Sequence, residues 1–149
     1  MGADAQVTLD LPQHVLQYLD AQPALTLATA SRGGVPRATT LTYVNDGVTV
    51  YIWTRPDTTT ARQMEENPVV SIAIGPYADD WRETKGIQAA AEAQVVLNPT
   101  ELTRVVAPLK GRCVVNHELR RGLRNGDGVL QSGHHAEILA LRGVQHPSP

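Results

Sequence analysis

Phenylalanine is absent from this chain of 149 residues, and two tryptophans and four tyrosines are its whole aromatic complement. Large rings each bury roughly 150–250 Å², so the core has to be filled by Val, Leu, Ala and Thr. Small branched groups of this kind suit pleated strands better than helices. Cysteine is nearly absent as well: Cys113 stands alone, which excludes a disulfide framework and Cys-rich zinc modules. Charge of one sign is lacking, with 13 Lys+Arg against 15 Asp+Glu and a net charge of −2. That balance excludes a protein whose main task is neutralising phosphate backbones, so no nucleic-acid partner is expected. No apolar run approaches the ~20 residues that span a bilayer, so no membrane partner is expected either. The start, Met1-Gly2-Ala3-Asp4-Ala5-Gln6, has no basic flank and no apolar stretch, and Gln6 stands where an N-myristoylation signal has Ser or Thr. The expectation is a cytoplasmic protein with one domain over residues 1–149 and loose tails at 1–9 and 144–149.

Several catalytic signatures are missing too. There is no GxGxxG after a strand, no Walker A loop, no GxSxG elbow and no HExxH pair. His117-Glu118 is only a fragment of the last. Cys113 reads as a packing residue, although Arg112 beside it can lower a thiol pKa. His134-His135 reads as a polar strand edge, with a metal or haem ligand as the alternative; no metal site is expected. The cluster Lys110, Arg112, Arg120, Arg121 and Arg124 reads as a solvated helix face.

What is present is a succession of strands. Asp10-Leu11-Pro12-Gln13 predicts a helix start capped by Asp10, with Leu11, Val15 and Leu19 on one face and Pro23 beyond its end. Ala24 to Ala30 predicts a strand, and a second follows Pro36 from Arg37 to Val44. Asn45-Asp46-Gly47 supplies the positive-φ residues of a tight hairpin. A third strand puts Val48, Val50 and Ile52 on one face and Thr49, Tyr51 and Trp53 on the other. Asp57 or Thr58 caps a short helix, Thr59 to Glu66. A strand from Val69 to Ile74 breaks at Gly75-Pro76, and a polar loop from Tyr77 to Lys85 carries Trp81. Alternation from Ile87 to Leu97 predicts a long strand. Asn98-Pro99-Thr100-Glu101 is a capping box that launches Leu102, Val105, Val106 and Leu109. A further helix over 112–124 and a last strand from His135 to Arg142 complete the reading. Strands with helices between them, without βαβ alternation, imply an α+β antiparallel sheet or barrel.

The segment richest in chemistry is Trp53-Thr54-Arg55-Pro56-Asp57-Thr58-Thr59-Thr60-Ala61-Arg62. A strand end runs into a helix N-terminus, where unpaired N–H groups and the helix dipole favour an anion. Three successive hydroxyls and nearby arginines add donors, and Asp57 opposes them. A threonine-capped helix with no ligand fits the same residues.

The order of helix, Leu25-Thr26-Leu27-Ala28-Thr29-Ala30, Gly34-x-Pro36, hairpin, Tyr51-Ile52-Trp53-Thr54, helix and Glu66-Asn67-Pro68-Val69-Val70-Ser71 resembles the pyridoxamine 5′-phosphate oxidase-like, FMN-binding split-barrel family. Trp81 and Gly86-Ile87-Gln88-Ala89 fit as well, and the resemblance covers about residues 11–97. It implies a mainly β, six-stranded antiparallel split β-barrel with peripheral helices. It also implies a homodimer with a cofactor groove at the interface, and flavin-dependent hydride transfer with a small-molecule substrate. The implied cofactor-binding residues are Thr39, Thr40, Leu41, Trp53, Thr54, Thr58, Thr59, Thr60 and Arg62, with main-chain groups near Thr40, Leu41 and Thr42 facing the flavin ring. No catalytic acid or base is nominated. The family commonly has Lys at the position of Thr60, often with a basic residue at Thr59, and its oxidase members have Arg at Thr39 and Gln at Gly86. These departures argue against pyridoxamine phosphate oxidation and leave Arg37, Arg55 or Arg62 to supply positive charge. They also keep two alternatives open beside FMN: the deazaflavin coenzyme F-420, or a barrel that has lost flavin and in one variant binds haem through His134 or His135.

Overall fold

The computed structural model describes residues 12–75, 78–112 and 137–143. Helix α1 (Gln13–Ala21) leads into strands β1 (Ala24–Ala30), β2 (Pro36–Asp46) and β3 (Thr49–Thr54). Helix α2 (Thr59–Glu66) separates β3 from β4 (Val69–Ile74). A short 3-10 turn (Trp81–Glu83) precedes β5 (Ile87–Val95), followed by helix α3 (Pro99–Arg112) and β6 (Glu137–Gly143). The strands close into an antiparallel barrel in the order β1-β2-β3-β6-β5-β4.

Period-2 alternation fills the barrel. Leu25 and Leu27 of β1, Val50 and Ile52 of β3, Val70, Ile72 and Ile74 of β4, and Leu139 and Leu141 of β6 share one interior cluster with Ala91 and Ala93. The mouth before β1 is closed by α1, whose Leu19 joins this cluster and accepts a hydrogen bond from the Tyr43 hydroxyl through its carbonyl. The opposite mouth, where β3 ends and β4 begins, is closed by α2 through Met64. The other face of β3 is buried too. Tyr51 and Trp53 lie with Val44, Ile138 and Ala140 under Val105 and Leu109 of α3. Both faces of the third strand are therefore covered, one by the barrel interior and one by a helix.

The outer face formed by β2, β1, β4 and β5 has no such helix among the described residues. Its cross-strand rows run Thr40–Thr26–Ala73–Gln88 and Ala38–Ala28–Ser71–Ala90. Small side chains make it flat.

Four local expectations are corrected. The cap position of α1 falls on Pro12, with no side-chain cap, so Asp10 does not cap it; Pro12 at ψ 140° is still extended. In the β2–β3 hairpin only Gly47 takes a positive φ, 58°, while Asn45 and Asp46 stay paired with Val50 and Thr49. Asn98 caps α3 by accepting from the amides of Thr100 and Glu101. The Glu101 carboxylate, expected to complete the capping box, instead accepts from the Tyr51 hydroxyl at 2.6 Å and from Arg142 at 2.8 Å. A buried phenol is a better-placed partner than an exposed main-chain amide, and the contact fastens α3 to β3 and β6. β5 ends at Val95 rather than Leu97; beyond it the Val96 amide still donates to the Ile138 carbonyl at 2.8 Å, while Leu97 is exposed ahead of the Asn98 cap. The helix expected over 112–124 lies outside the described residues beyond Arg112, as do the two tails, Cys113, His134 and His135.

Candidate functional site

The β2–β3 ladder is short. It pairs only Tyr43–Asp46 with Thr49–Ile52, so Pro36–Thr42 pair with β1 on one side and with no described strand on the other. This is the split in the barrel, and α2 begins beside it. A strand edge without a partner presents main-chain N–H and C=O groups, and Thr40, Leu41 and Thr42 lie on that edge.

Two hydroxyl pairs meet at the start of α2. Thr39 Oγ1 of β2 lies 3.1 Å from Thr60 Oγ1. Thr54 Oγ1, at the end of β3, lies 3.1 Å from Thr58 Oγ1. Thr58 is the helix cap: its hydroxyl oxygen accepts from the Ala61 amide at 3.1 Å and its hydroxyl reaches the Arg55 carbonyl at 2.8 Å. The Arg62 amide donates to the Thr58 carbonyl at 3.1 Å. The amides of Thr59 and Thr60 stand in the first turn, where no intrahelical acceptor exists. Thr59 itself is exposed, whereas Thr54 and Thr60 are buried.

Gln63 holds this arrangement in place. The Thr29 hydroxyl donates to Gln63 Oε1 at 2.7 Å, and Gln63 Nε2 donates to the Val35 carbonyl at 3.3 Å. One glutamine thus ties α2 to β1 and to the β1–β2 turn. The sequence carried a signal for it: Thr29 follows Leu25 and Leu27 on the inward face, and a buried hydroxyl needs a partner.

The nominated residues do not all converge. Thr39, Thr54, Thr58 and Thr60 come together, with Thr40 and Leu41 along the open edge. Trp53 turns to the other side of β3, into the cluster beneath α3, and its buried indole N–H has no hydrogen-bond partner. Arg62 is exposed and reaches back to the Asp57 carbonyl at 3.2 Å. Arg55 grips the Asp57 carboxylate with two bonds, at 3.0 and 2.6 Å. Gly86 is tightly packed: a Cβ there would lie 3.0 Å from the Ile74 carbonyl oxygen, so a side chain at this neck of the β4–β5 excursion requires the main chain to give by a few tenths of an ångström. Among the described residues no group of His, Cys, Asp and Glu could hold a metal ion, and no helix is long and apolar enough to cross a membrane.

Hydroxyl pairs, free first-turn amides and an open strand edge supply the hydrogen-bond donors that the phosphorylated end of a flavin needs. The residues fit such a group in kind and placement. In charge they are neutral, where the resemblance leads one to expect Lys at the position of Thr60, often a basic residue at Thr59 and, in the oxidase members, Arg at Thr39.

Comparison with known proteins agrees with this architecture. The family model described as pyridoxamine 5′-phosphate oxidase matches residues 11–135. General stress protein 26 of Bacillus subtilis (strain 168) is 38% identical over 86 residues, spanning 58% of this chain and 60% of that protein. Among solved structures, HutZ, the haem storage protein of Vibrio cholerae, superposes with a TM-score of 0.68 at 23% identity, covering 89% of each chain. A haem-binding protein from Mycobacterium smegmatis gives 0.66 at 17% identity, over 89% of this chain and 52% of that one. These structures share the fold. With the family match spanning the barrel from α1 through α3, the chain belongs to the pyridoxamine 5′-phosphate oxidase family.

Proposed function

We propose that this protein binds FMN at the split between β2 and α2 and serves as a flavin-dependent oxidoreductase acting on a small molecule. The observation that carries the reading is the Thr39–Thr60 contact, which brings a strand edge lacking a partner and a helix N-terminus to one place. Thr58 organises the helix start, Thr59 and Thr60 offer hydroxyl and amide donors to a phosphate, and the main chain of Thr40, Leu41 and Thr42 borders the ring. When bound, the flavin supplies hydride chemistry, and the protein contributes groove, orientation and electrostatics. Gly86, where the oxidase members have Gln and where a Cβ would lie 3.0 Å from the Ile74 carbonyl oxygen, supports a substrate other than pyridoxamine phosphate.

The same reading pairs two copies of the chain. β2 borders both the groove and the flat face of Thr26, Ala28, Ala38, Thr40, Ser71 and Ala73, so a second copy on that face adjoins the cofactor. Light scattering at micromolar concentration is expected to give twice the chain mass; a monomer contradicts this part.

The binding test is direct. The purified protein is titrated with FMN, followed by quenching of flavin fluorescence and by thermal shift, since a ligand of the native state raises its stability by mass action. Saturable quenching with a rise in melting temperature is expected. A protein that ignores FMN refutes the reading. Tighter binding of coenzyme F-420 than of FMN replaces the flavin by a deazaflavin, and a Soret band on adding haemin without any flavin binding removes the redox assignment.

A further inference from the structure

The hydroxyl pair that marks the site also says where an anion has to approach. At 3.1 Å, Thr39 and Thr60 leave no gap for an oxygen between them, so a phosphate meets the pair from its open side. Three arginines lie nearby, and the structure separates them. Arg55 is taken up by the Asp57 carboxylate through two bonds. Arg62 follows Thr60 by two residues, so its side chain leaves α2 about 200° around the helix from Thr60. It is held at the Asp57 carbonyl.

Arg37 is placed differently. It lies two residues before Thr39 on β2 and directly opposite Thr29 on β1. Residues two apart on a strand share a face, as do residues paired across a ladder. Thr29 and Thr39 both use that face to bond to α2, to Gln63 and Thr60 respectively. Arg37 therefore leaves β2 toward the flank of α2 that carries the hydroxyl pair. It is exposed, and no described residue pairs with it. Exposed Thr59 stands on this same flank, about 40° from Gln63 on the helical wheel.

We propose that Arg37 is the cation that recognises the phosphate of the cofactor in this protein, in place of the positive charge that the resemblance puts at the positions of Thr60 and Thr59 and, in the oxidase members, of Thr39. This rests on the FMN reading above and adds to it the residue that distinguishes FMN from uncharged riboflavin. A guanidinium on an exposed strand end grips a phosphate bidentately without placing a charge in the buried contact with α2.

The experiment compares FMN and riboflavin binding by fluorescence quenching in the wild type and in Arg37→Gln, Arg62→Gln and Arg55→Gln. Arg37→Gln is expected to weaken FMN about ten-fold or more, the range of one charge-assisted contact, and to leave riboflavin unchanged. Arg37→Lys is expected to recover part of the loss. The preference for FMN over riboflavin should shrink with added salt in the wild type, since exposed charges are screened, and depend little on salt in Arg37→Gln. Equal FMN affinity in wild type and Arg37→Gln overturns the assignment while the FMN reading stands, and a loss confined to Arg62→Gln or Arg55→Gln does the same. Failure of the wild type to bind either flavin overturns both. Because Arg37 is exposed and the riboflavin titration reports an intact groove, misfolding is separable from lost recognition.

Discussion

Replacing Gln63 by leucine tests whether one amide side chain seats α2 on the barrel. Gln63 is 7% exposed and Thr29 3% exposed. The substitution removes the 2.7 Å bond from the Thr29 hydroxyl and the longer 3.3 Å bond to the Val35 carbonyl. The Val35 carbonyl keeps an acceptor role through the Ser31 amide at 3.0 Å, so only the Thr29 hydroxyl is orphaned. Stranding a buried hydroxyl costs about 1–3 kcal/mol, and leucine of similar volume avoids a cavity term. The expected loss is about 2 kcal/mol, or a fall in Tm of about 4–8 °C for a chain of this size. Thr29→Val alone strands Gln63 Oε1 and costs a similar amount. The double variant removes both halves of the bond, so it should be more stable than the sum of the single losses implies, with a coupling of about 1–2 kcal/mol. Urea denaturation followed by circular dichroism on all four proteins gives the cycle. Additivity within about 0.5 kcal/mol would show that Gln63 does not hold α2 through Thr29 and would remove the physical basis for the placement of Thr60 beside Thr39.

Gly75→Ala puts a Cβ 2.9 Å from the Lys85 carbonyl oxygen; main chain on both sides cannot yield cheaply, so a destabilisation of about 1–3 kcal/mol is expected in urea melts. Gly34→Ala meets no atom within 4 Å but inherits a φ of +85°, so it should lose about 1–2 kcal/mol through backbone strain alone. The hydrogen bond from Tyr51, followed by that from Arg142, holds the Glu101 carboxyl below the usual carboxylate range. A depressed folded-state pKa contributes stability that is present above the unfolded value and disappears as pH falls through the folded one. Glu101→Gln is therefore expected to flatten the acid limb of the stability profile, and, because Glu101 also helps to raise the Tyr51 hydroxyl, to alter the alkaline limb as well; identical acid limbs refute the role. Leu27→Ala, at a fully buried interior position, should cost about 2–5 kcal/mol, measured by the same unfolding.

The sequence made the strands legible because β1, β4 and β5 each alternate larger apolar with polar or small residues against one interior, and β3 is a β-prone run behind a Gly turn. The cap of α2 was legible as Asp57 or Thr58, and the fold selects Thr58. What escaped was decided across the barrel. Nothing local distinguishes Trp53, which packs under α3, from a groove residue, because both faces of β3 are buried and alternation cannot say which cover lies where. Glu101 sat in a motif that predicts a reciprocal cap, yet a phenol 50 residues away in the chain took its carboxylate. The split itself is a matter of ladder length: β2 reads as one strand of 11 residues, and only pairing reveals that its first part has a single neighbour.

That split also explains how a site of alcohols persists where relatives are commonly basic. Thr39 and Thr60 satisfy one another, so α2 docks against β2 without an anion between them, and the buried Thr60 position bears no ammonium to desolvate. Introducing Thr60→Lys alone would place a charge at a position 5% exposed and strip Thr39 of its partner. Burial of an unpaired cation is unfavourable by several kcal/mol, so the variant should be markedly less stable without ligand. On the proposed FMN reading, added FMN should restore much of the loss by neutralising the lysine. A Thr60→Lys protein as stable as the wild type in the absence of flavin would mean that the hydroxyl pair contributes nothing to docking. In that case the absence of positive charge at this position has no structural cause in the contact between β2 and α2.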